Sequence, residues 1–408
     1  MFSRENGAGG RSAGALAALC AGAGVLGAAL ALLAVTVSGR LDGETRTRTV
    51  VLPSLGSDAR VPAGRPAGGG DFDPAGIYAS RAPGVVTVYA VFEDHPRTGA
   101  GSQGSGFVVS RDGVILTSAH VVTTAGSERL DDEAEPAERT FVEFADGERV
   151  RATVVDWDLF NDVAVLRVDP ADHPVQPLPL GASERVRVGE PVAAIGSPFG
   201  EEGSLAVGVI SATRRSIAAL TSRFSIVDAI QIDAPINRGN SGGPLLDARG
   251  RVIGINAQIR SSSGTAEGVG FAVPIDSARR SLEQLLEDGR VSYAFVGISA
   301  EDLTPLLGRR LGYGARRGAL VVTADGPARR AGIRGSERTV TVDGRDVRAG
   351  GDVIVGVGGR PVRSADELVR IVSNRLSAGT VVRFTLLRGG RERTVRVRLA
   401  ERTLALPG

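Results

Sequence analysis

Between residues 77 and 274 the chain is a succession of short runs of Val, Ile, Leu and Phe broken by Gly, Asp and Ser. The clearest runs lie at 84–92, 107–110, 114–117, 150–155, 163–168, 205–210, 252–255 and 269–273. Apolar and polar positions alternate with a period of two rather than 3.6, the pattern of strands with one buried face. Such spacing, with turn residues between the runs, predicts antiparallel barrels or a sandwich. A helix then closes the region: Asp276 stands where it can cap it, Leu282, Leu285 and Leu286 form its apolar stripe, and Gly289 ends it. From 293 onward strands mix with one helix, where Ser364 and Glu367 make a capping box before Leu368, Ile371 and Val372. That stretch reads as a separate α+β module.

The amino-terminal part is of another kind. Residues 13–37 carry no charge, and at 1.5 Å per residue this run is long enough to cross a hydrocarbon core of about 30 Å. It exceeds the apolar core of a cleaved signal peptide, so residues 1–39 read as a tail and a transmembrane signal-anchor. Lipoprotein processing needs a small residue before Cys20, and Leu19 stands there. Residues 40–75, rich in Gly, Pro, Ser and Thr, read as a flexible linker, with folded sequence starting near Ile77.

Composition excludes several chemistries. The chain has no lysine, so the phosphate loop that needs one cannot exist. One Cys and three His leave no ligand set for a structural zinc, and no metal or cofactor is expected. The net charge of +2 gives no electrostatic case for nucleic acid. The region from Phe295 onward holds 21 Arg against 11 Asp and Glu, a bias that reads as a solvated face. The pattern Gly99-Ala100-Gly101-Ser102-Gln103-Gly104 fits a dinucleotide fingerprint in letters only, because a strand follows it where a helix should open.

The residues that carry chemistry are few. Gly239-Asn240-Ser241-Gly242-Gly243-Pro244 matches G-x-S-x-G, which sets a serine on a tight turn with backbone N–H groups converging nearby. The only histidines are His95, His120 and His173, all before Ser241, so the order is His, Asp, Ser, that of chymotrypsin-type barrels. His95 and His173 each precede a proline in polar sequence, whereas His120 follows the second arm of a hairpin turned at Arg111-Asp112-Gly113. His120 is therefore the candidate base. Asp162, directly before the apolar run 163–166, is the candidate acid, with Asp156 and Asp158, around Trp157 in an apparent turn, as alternatives. The oxyanion is expected on the N–H groups of Gly239 and Ser241.

With these residues in place the chain resembles the HtrA/Deg family of serine proteases. The resemblance runs through Gly104-Ser105-Gly106-Phe107, Leu116-Thr117-Ser118-Ala119-His120, Asn161-Asp162-Val163-Ala164, the segment 231–245 around Ser241, and Gly268-Val269-Gly270-Phe271. It implies a mainly β chymotrypsin-like double β-barrel over 76–288, followed by a PDZ domain over 293–402. It also implies an ATP-independent endopeptidase of unfolded or misfolded extracytoplasmic proteins, held in the cell membrane and often a homotrimer. By the same analogy Ile236 and Ile259 shape an apolar specificity pocket. Phe295, Val296, Gly297 and Ile298 form a carboxylate-binding loop, with Leu368 on the opposite wall of a peptide groove. Residues 336–348 depart from the pattern as an inserted hairpin turned at Asp343-Gly344. The alternative is a catalytically silent holdase or PDZ adaptor.

Overall fold

The computed structural model describes residues 72–92, 101–125, 134–196, 204–222, 224–237, 239–257 and 269–403. The 13–37 run, His95 and Ile259 lie outside them. Among the described residues no helix is long and apolar enough to cross a membrane. A first helix, α1 (Pro74–Arg81), contains Ile77 and has its N-terminus capped by the Asp73 carboxylate.

The period-two runs close into two barrels. The first holds β1 (Val85–Val91), β2 (Ser102–Val108), β3 (Val114–Thr117), β4 (Arg139–Glu143), β5 (Arg149–Asp158) and β6 (Val163–Arg167) in the spatial order β1-β2-β3-β6-β5-β4. A one-turn helix, α2 (Ala119–Val122), follows β3. The second holds β7 (Pro191–Gly196), β8 (Ser204–Ala218), β9 (Ser225–Ile232), β10 (Pro244–Asp247), β11 (Val252–Ala257) and β12 (Gly270–Pro274), ordered β10-β11-β12-β9-β8-β7. Closure removes free sheet edges. One continuous apolar cluster joins the two barrels, setting Phe107, Leu116 and Val163 of the first against Ile195, Leu246 and Ile255 of the second. This shared core fixes one barrel against the other, which matters because each carries part of the site.

The closing helix α3 runs Ile275–Asp288 and ends on Gly289 in the left-handed conformation, as expected. Its start differs from the sequence reading. Pro274 holds the N-cap position, and Asp276 lies inside the first turn, where its carboxylate accepts from Ser183 Oγ at 2.8 Å and the Glu184 N–H at 3.0 Å. Asp156 likewise lies within β5 rather than in a turn, and Asp158 is the last residue of that strand, from which the turn to Asp162 starts.

The C-terminal module contains β13 (Ala294–Phe295), β14 (Ile298–Leu303), α4 (Pro305–Arg310), β15 (Gly318–Ala324) and α5 (Gly326–Arg330). There follow β16 (Arg338–Val342), β17 (Arg345–Ala349), β18 (Val353–Val357), β19 (Arg360–Pro361), α6 (Ala365–Arg375), β20 (Val381–Arg388), β21 (Arg391–Arg398) and β22 (Ala400–Glu401). Its main sheet runs β14-β15-β18-β20-β21, which leaves β14 at an edge. Ser364 caps α6 by accepting the Glu367 N–H at 3.0 Å, while Glu367 reaches back to the Arg363 N–H at 2.9 Å. The 336–348 insertion is the β16-β17 hairpin, with Asp343 and Gly344 both at positive φ. Asp343 at its tip lies 3.9 Å from the Arg310 guanidinium, and Ser336 Oγ at its base donates to the Val321 carbonyl of β15 at 2.8 Å.

Candidate active site

His120 and Asp162 both come from the first barrel, at the ends of adjacent strands. His120 sits in the turn of helix after β3, and Asp162 immediately before β6, which pairs with β3. The imidazole Nδ1 lies 2.6 Å from Asp162 Oδ2, and Oδ1 accepts the His120 backbone N–H at 2.9 Å. The Asp162 carbonyl also accepts the Ala119 N–H at 3.3 Å. Asp162 is 1% exposed and has φ of 56°, a left-handed conformation that an aspartate adopts more readily than most residues. Two bonds to one residue fix both ring position and tautomer: Nδ1 carries the proton toward the carboxylate, leaving Nε2 as the free lone pair. Burial alone would depress the His120 pKa, but the charge of Asp162 and its hydrogen bond outweigh burial and hold it above the ordinary value.

Ser241 comes from the second barrel, in the turn before β10. Gly239 and Gly242, at φ of 101° and 86°, shape that turn. Gly242 leaves no room for a side chain: a Cβ there would fall 2.2 Å from the Ser105 carbonyl, 2.5 Å from Thr117 Oγ1 and 2.9 Å from the Ser118 N–H. The serine turn is thus pressed against the segment that delivers His120. It is fastened by the Ser105 N–H to the Ser241 carbonyl at 2.8 Å, Ser105 Oγ to the Gly239 carbonyl at 2.5 Å and the Gly242 N–H to the Asn256 carbonyl at 2.9 Å. Ser241 is buried, and its Oγ has no hydrogen-bond partner among the described residues.

The other sequence candidates separate from this cluster. His173 stacks on Phe144 at 3.8 Å between ring centres and bonds Asp146 at 3.0 Å. Asp158 does not face His120; it binds Tyr293, Ser281 and Asn161. Gly104 lies within strand β2, so the glycine pattern opens no helix. Ile236 is buried beside Gly270, where an added Cβ would come within 2.8 Å of its Cγ1. Ser105 and Thr117, which hold the serine turn, lie in the segments that carry the family resemblance, but nothing local assigns them that task, and Asn256 falls outside every such segment.

In the C-terminal module Phe295 pairs with Ala400, and Gly297, at φ of 79°, gives its carbonyl to the Asp325 N–H at 2.7 Å. The Val296 carbonyl accepts the Ala328 N–H at 2.8 Å. Leu368 is buried in the core that also takes in Val296 and Ile298. Ala365 at the start of α6 donates to Asp302 Oδ1 of β14 at 2.7 Å, tying helix and strand together at one end. β14 is thus an edge strand with α6 hydrogen-bonded to it.

Two closed barrels with a His–Asp pair on one and a G-N-S-G-G turn on the other define the trypsin-like class of serine peptidases, here joined to a C-terminal α+β module. Residues 104–255 match the trypsin-like peptidase domain and residues 294–399 the PDZ domain. The probable periplasmic serine endoprotease DegP-like of Halomonas elongata is 40% identical over 302 residues, 74% of this chain and 56% of that protein. Protease Do-like 1, chloroplastic, of Arabidopsis thaliana is 39% identical over 72% of this chain and 63% of its own length. The chain therefore spans somewhat over half the length of these curated relatives. Among solved structures, the HtrA-type protease AlgW with tripeptide superposes with a TM-score of 0.65 at 32% identity, covering 81% of this chain and 97% of that one. The chain belongs to the HtrA family of serine endoproteases.

Proposed function

We propose that this chain is an endopeptidase that cleaves unfolded or misfolded extracytoplasmic proteins through an acyl-enzyme, independently of ATP. The observation that carries the reading is the two-bond contact of His120 with Asp162, with the Ser241 turn packed on the segment just before His120. Ser241 Oγ attacks the peptide carbonyl, and His120 Nε2 takes its proton and later returns it to the leaving amine. Asp162 holds the tautomer and stabilises the imidazolium. The N–H groups of Gly239 and Ser241 stabilise the oxyanion, and Ile236 with Ile259 favours small or medium apolar side chains before the scissile bond. The test is cleavage of casein by the full chain. Ser241→Ala is expected to abolish it; a folded Ser241→Ala protein that cleaves as fast as the parent contradicts the reading, and a folded parent that only binds casein is a holdase.

The module from 293 to 402 is read as a regulatory groove: a peptide C-terminus binds the N–H groups of residues 295–298 and adds a strand to β14 beside Leu368. The unpaired edge of β14 among the described residues and the flanking α6 support this. Residues 13–37 are read as a single-pass anchor, 40–75 as its tether, and 76–288 as the protease domain, outside the cytoplasm and assembled as a homotrimer by analogy with the family.

A further inference from the structure

Asp158, Asn161 and Tyr293 form a polar cluster near the site that the proposed chemistry does not use. Asp158 is fully buried at the end of β5. Its Oδ2 accepts from Tyr293 Oη at 2.5 Å, Ser281 Oγ at 2.6 Å and Asn161 Nδ2 at 3.1 Å, and its Oδ1 from the N–H groups of Phe160 at 2.9 Å and Asn161 at 3.3 Å. Asn161 Nδ2 also donates to Tyr293 Oη at 2.6 Å. One buried carboxylate thereby binds its own turn, helix α3 and the residue just before β13. A buried charge with this many donors is stable only while all remain in place. Burial first, and then the charge of Asp158, push the Tyr293 phenol well above its ordinary range, so it stays a donor.

The turn held this way runs from Asp158 to Asp162, whose φ of 56° is uncommon for any residue but glycine. A second layer lies over it. The Arg402 guanidinium stands 4.9 Å from the Phe224 ring centre, 5.6 Å from that of Phe160 and 5.8 Å from that of Tyr293. Its backbone N–H donates to the Tyr293 carbonyl at 2.8 Å, and Nη2 to Ser373 Oγ of α6 at 3.0 Å. A continuous set of contacts therefore joins a helix of the C-terminal module to the residue next to Asp162.

We propose that Tyr293, outside both barrels, is a positioning residue for Asp162: through Asp158 and Asn161 it holds the 158–162 turn in the shape that presents the carboxylate to His120. The catalytic consequence rests on the endopeptidase reading; the geometric one does not. Tyr293→Phe in the full chain keeps the ring under Arg402 and removes only the phenol. Two quantities are read: steady-state casein-peptide kinetics, and the His120 titration by carbon NMR of labelled imidazoles, which only three histidines make assignable. The expected result is a kcat lower by about 10- to 100-fold, the scale of an ångström-sized misplacement, with KM within about twofold, and a His120 pKa lower than in the parent. Asp158→Asn, which leaves the phenol and removes the charge it meets, gives the same pair of changes and serves if Tyr293→Phe does not fold. In an active parent, an unchanged kcat, or a change in KM alone, overturns the proposal. If the parent itself does not cleave, the endopeptidase reading falls, and the titration alone decides: a lowered His120 pKa upholds the positioning role and an unchanged one overturns it.

Discussion

At the residue scale the account turns on one imidazole. His120 must be neutral to act as a base, so activity rises as pH passes upward through its pKa. Because Asp162 holds that pKa above the ordinary value of 6.5, the acidic limb of the kcat/KM profile is expected above it. Asp162→Asn removes both raising influences and leaves burial, which lowers the pKa; the limb then moves to lower pH while kcat falls by about 10⁴-fold, because the favoured tautomer is wrong. A pH–rate series on parent and variant checks both, and a limb that stays in place contradicts the assigned contact. His120, Asp162 and Ser241 were legible because each adjoins an apolar run or glycine turn that fixes its backbone. Tyr293 was not: its partners Asp158 and Ser281 lie far away in sequence, and nothing local distinguishes a phenol that will be buried from one on the surface. Asp158 was noticed only as an alternative acid, since an aspartate beside Trp157 looks the same whether it meets a histidine or a hydroxyl.

At the element scale the serine turn depends on glycine at 242. Its φ of 86° and the 2.2 Å approach of a notional Cβ to the Ser105 carbonyl leave an alanine both strained and overlapping. Gly242→Ala is expected to cost about 1–3 kcal/mol of stability and to abolish cleavage, read by urea unfolding and casein hydrolysis; a variant of parental stability and rate contradicts the tight fit described here. The β2-β3 hairpin and the end of α3 at Gly289 follow from glycine placement that any reader of the sequence can see. Strands β8 and β9 were harder. Their pairing shifts register three times, and Asp228 within β9 has φ of 61°, so the alternation that marks a strand is interrupted where the strand continues. Asp276 was misassigned as a cap for a related reason: the sequence does not announce that Ser183, far upstream, takes its carboxylate.

At the scale of the whole molecule the C-terminal module is fastened to the second barrel through α6, the proposed wall of its peptide groove. Asn374 donates to Asp228 at 2.9 Å and accepts from Arg280 of α3 at 2.8 Å, while Ser216 donates to Asp366 at 2.7 Å. Anything that shifts α6 on binding must therefore disturb β9 and α3. Peptides ending in a free carboxylate are expected to change the casein cleavage rate of the parent, and to change it less in Asn374→Ala; binding with no effect on rate in the parent contradicts a regulatory groove. Two domains could be read from the shift in pattern near 290, but not this contact, since Asp228 and Asn374 are 146 positions apart.

The central claim, that His120, Asp162 and Ser241 act together, is tested most directly by mass analysis of the full chain after reaction with a fluorophosphonate. A single adduct is expected on the peptide containing Ser241, formed rapidly in the parent and lost or greatly slowed in His120→Ala. An adduct on another residue, or equal labelling of Ser241 with and without the imidazole, would contradict it.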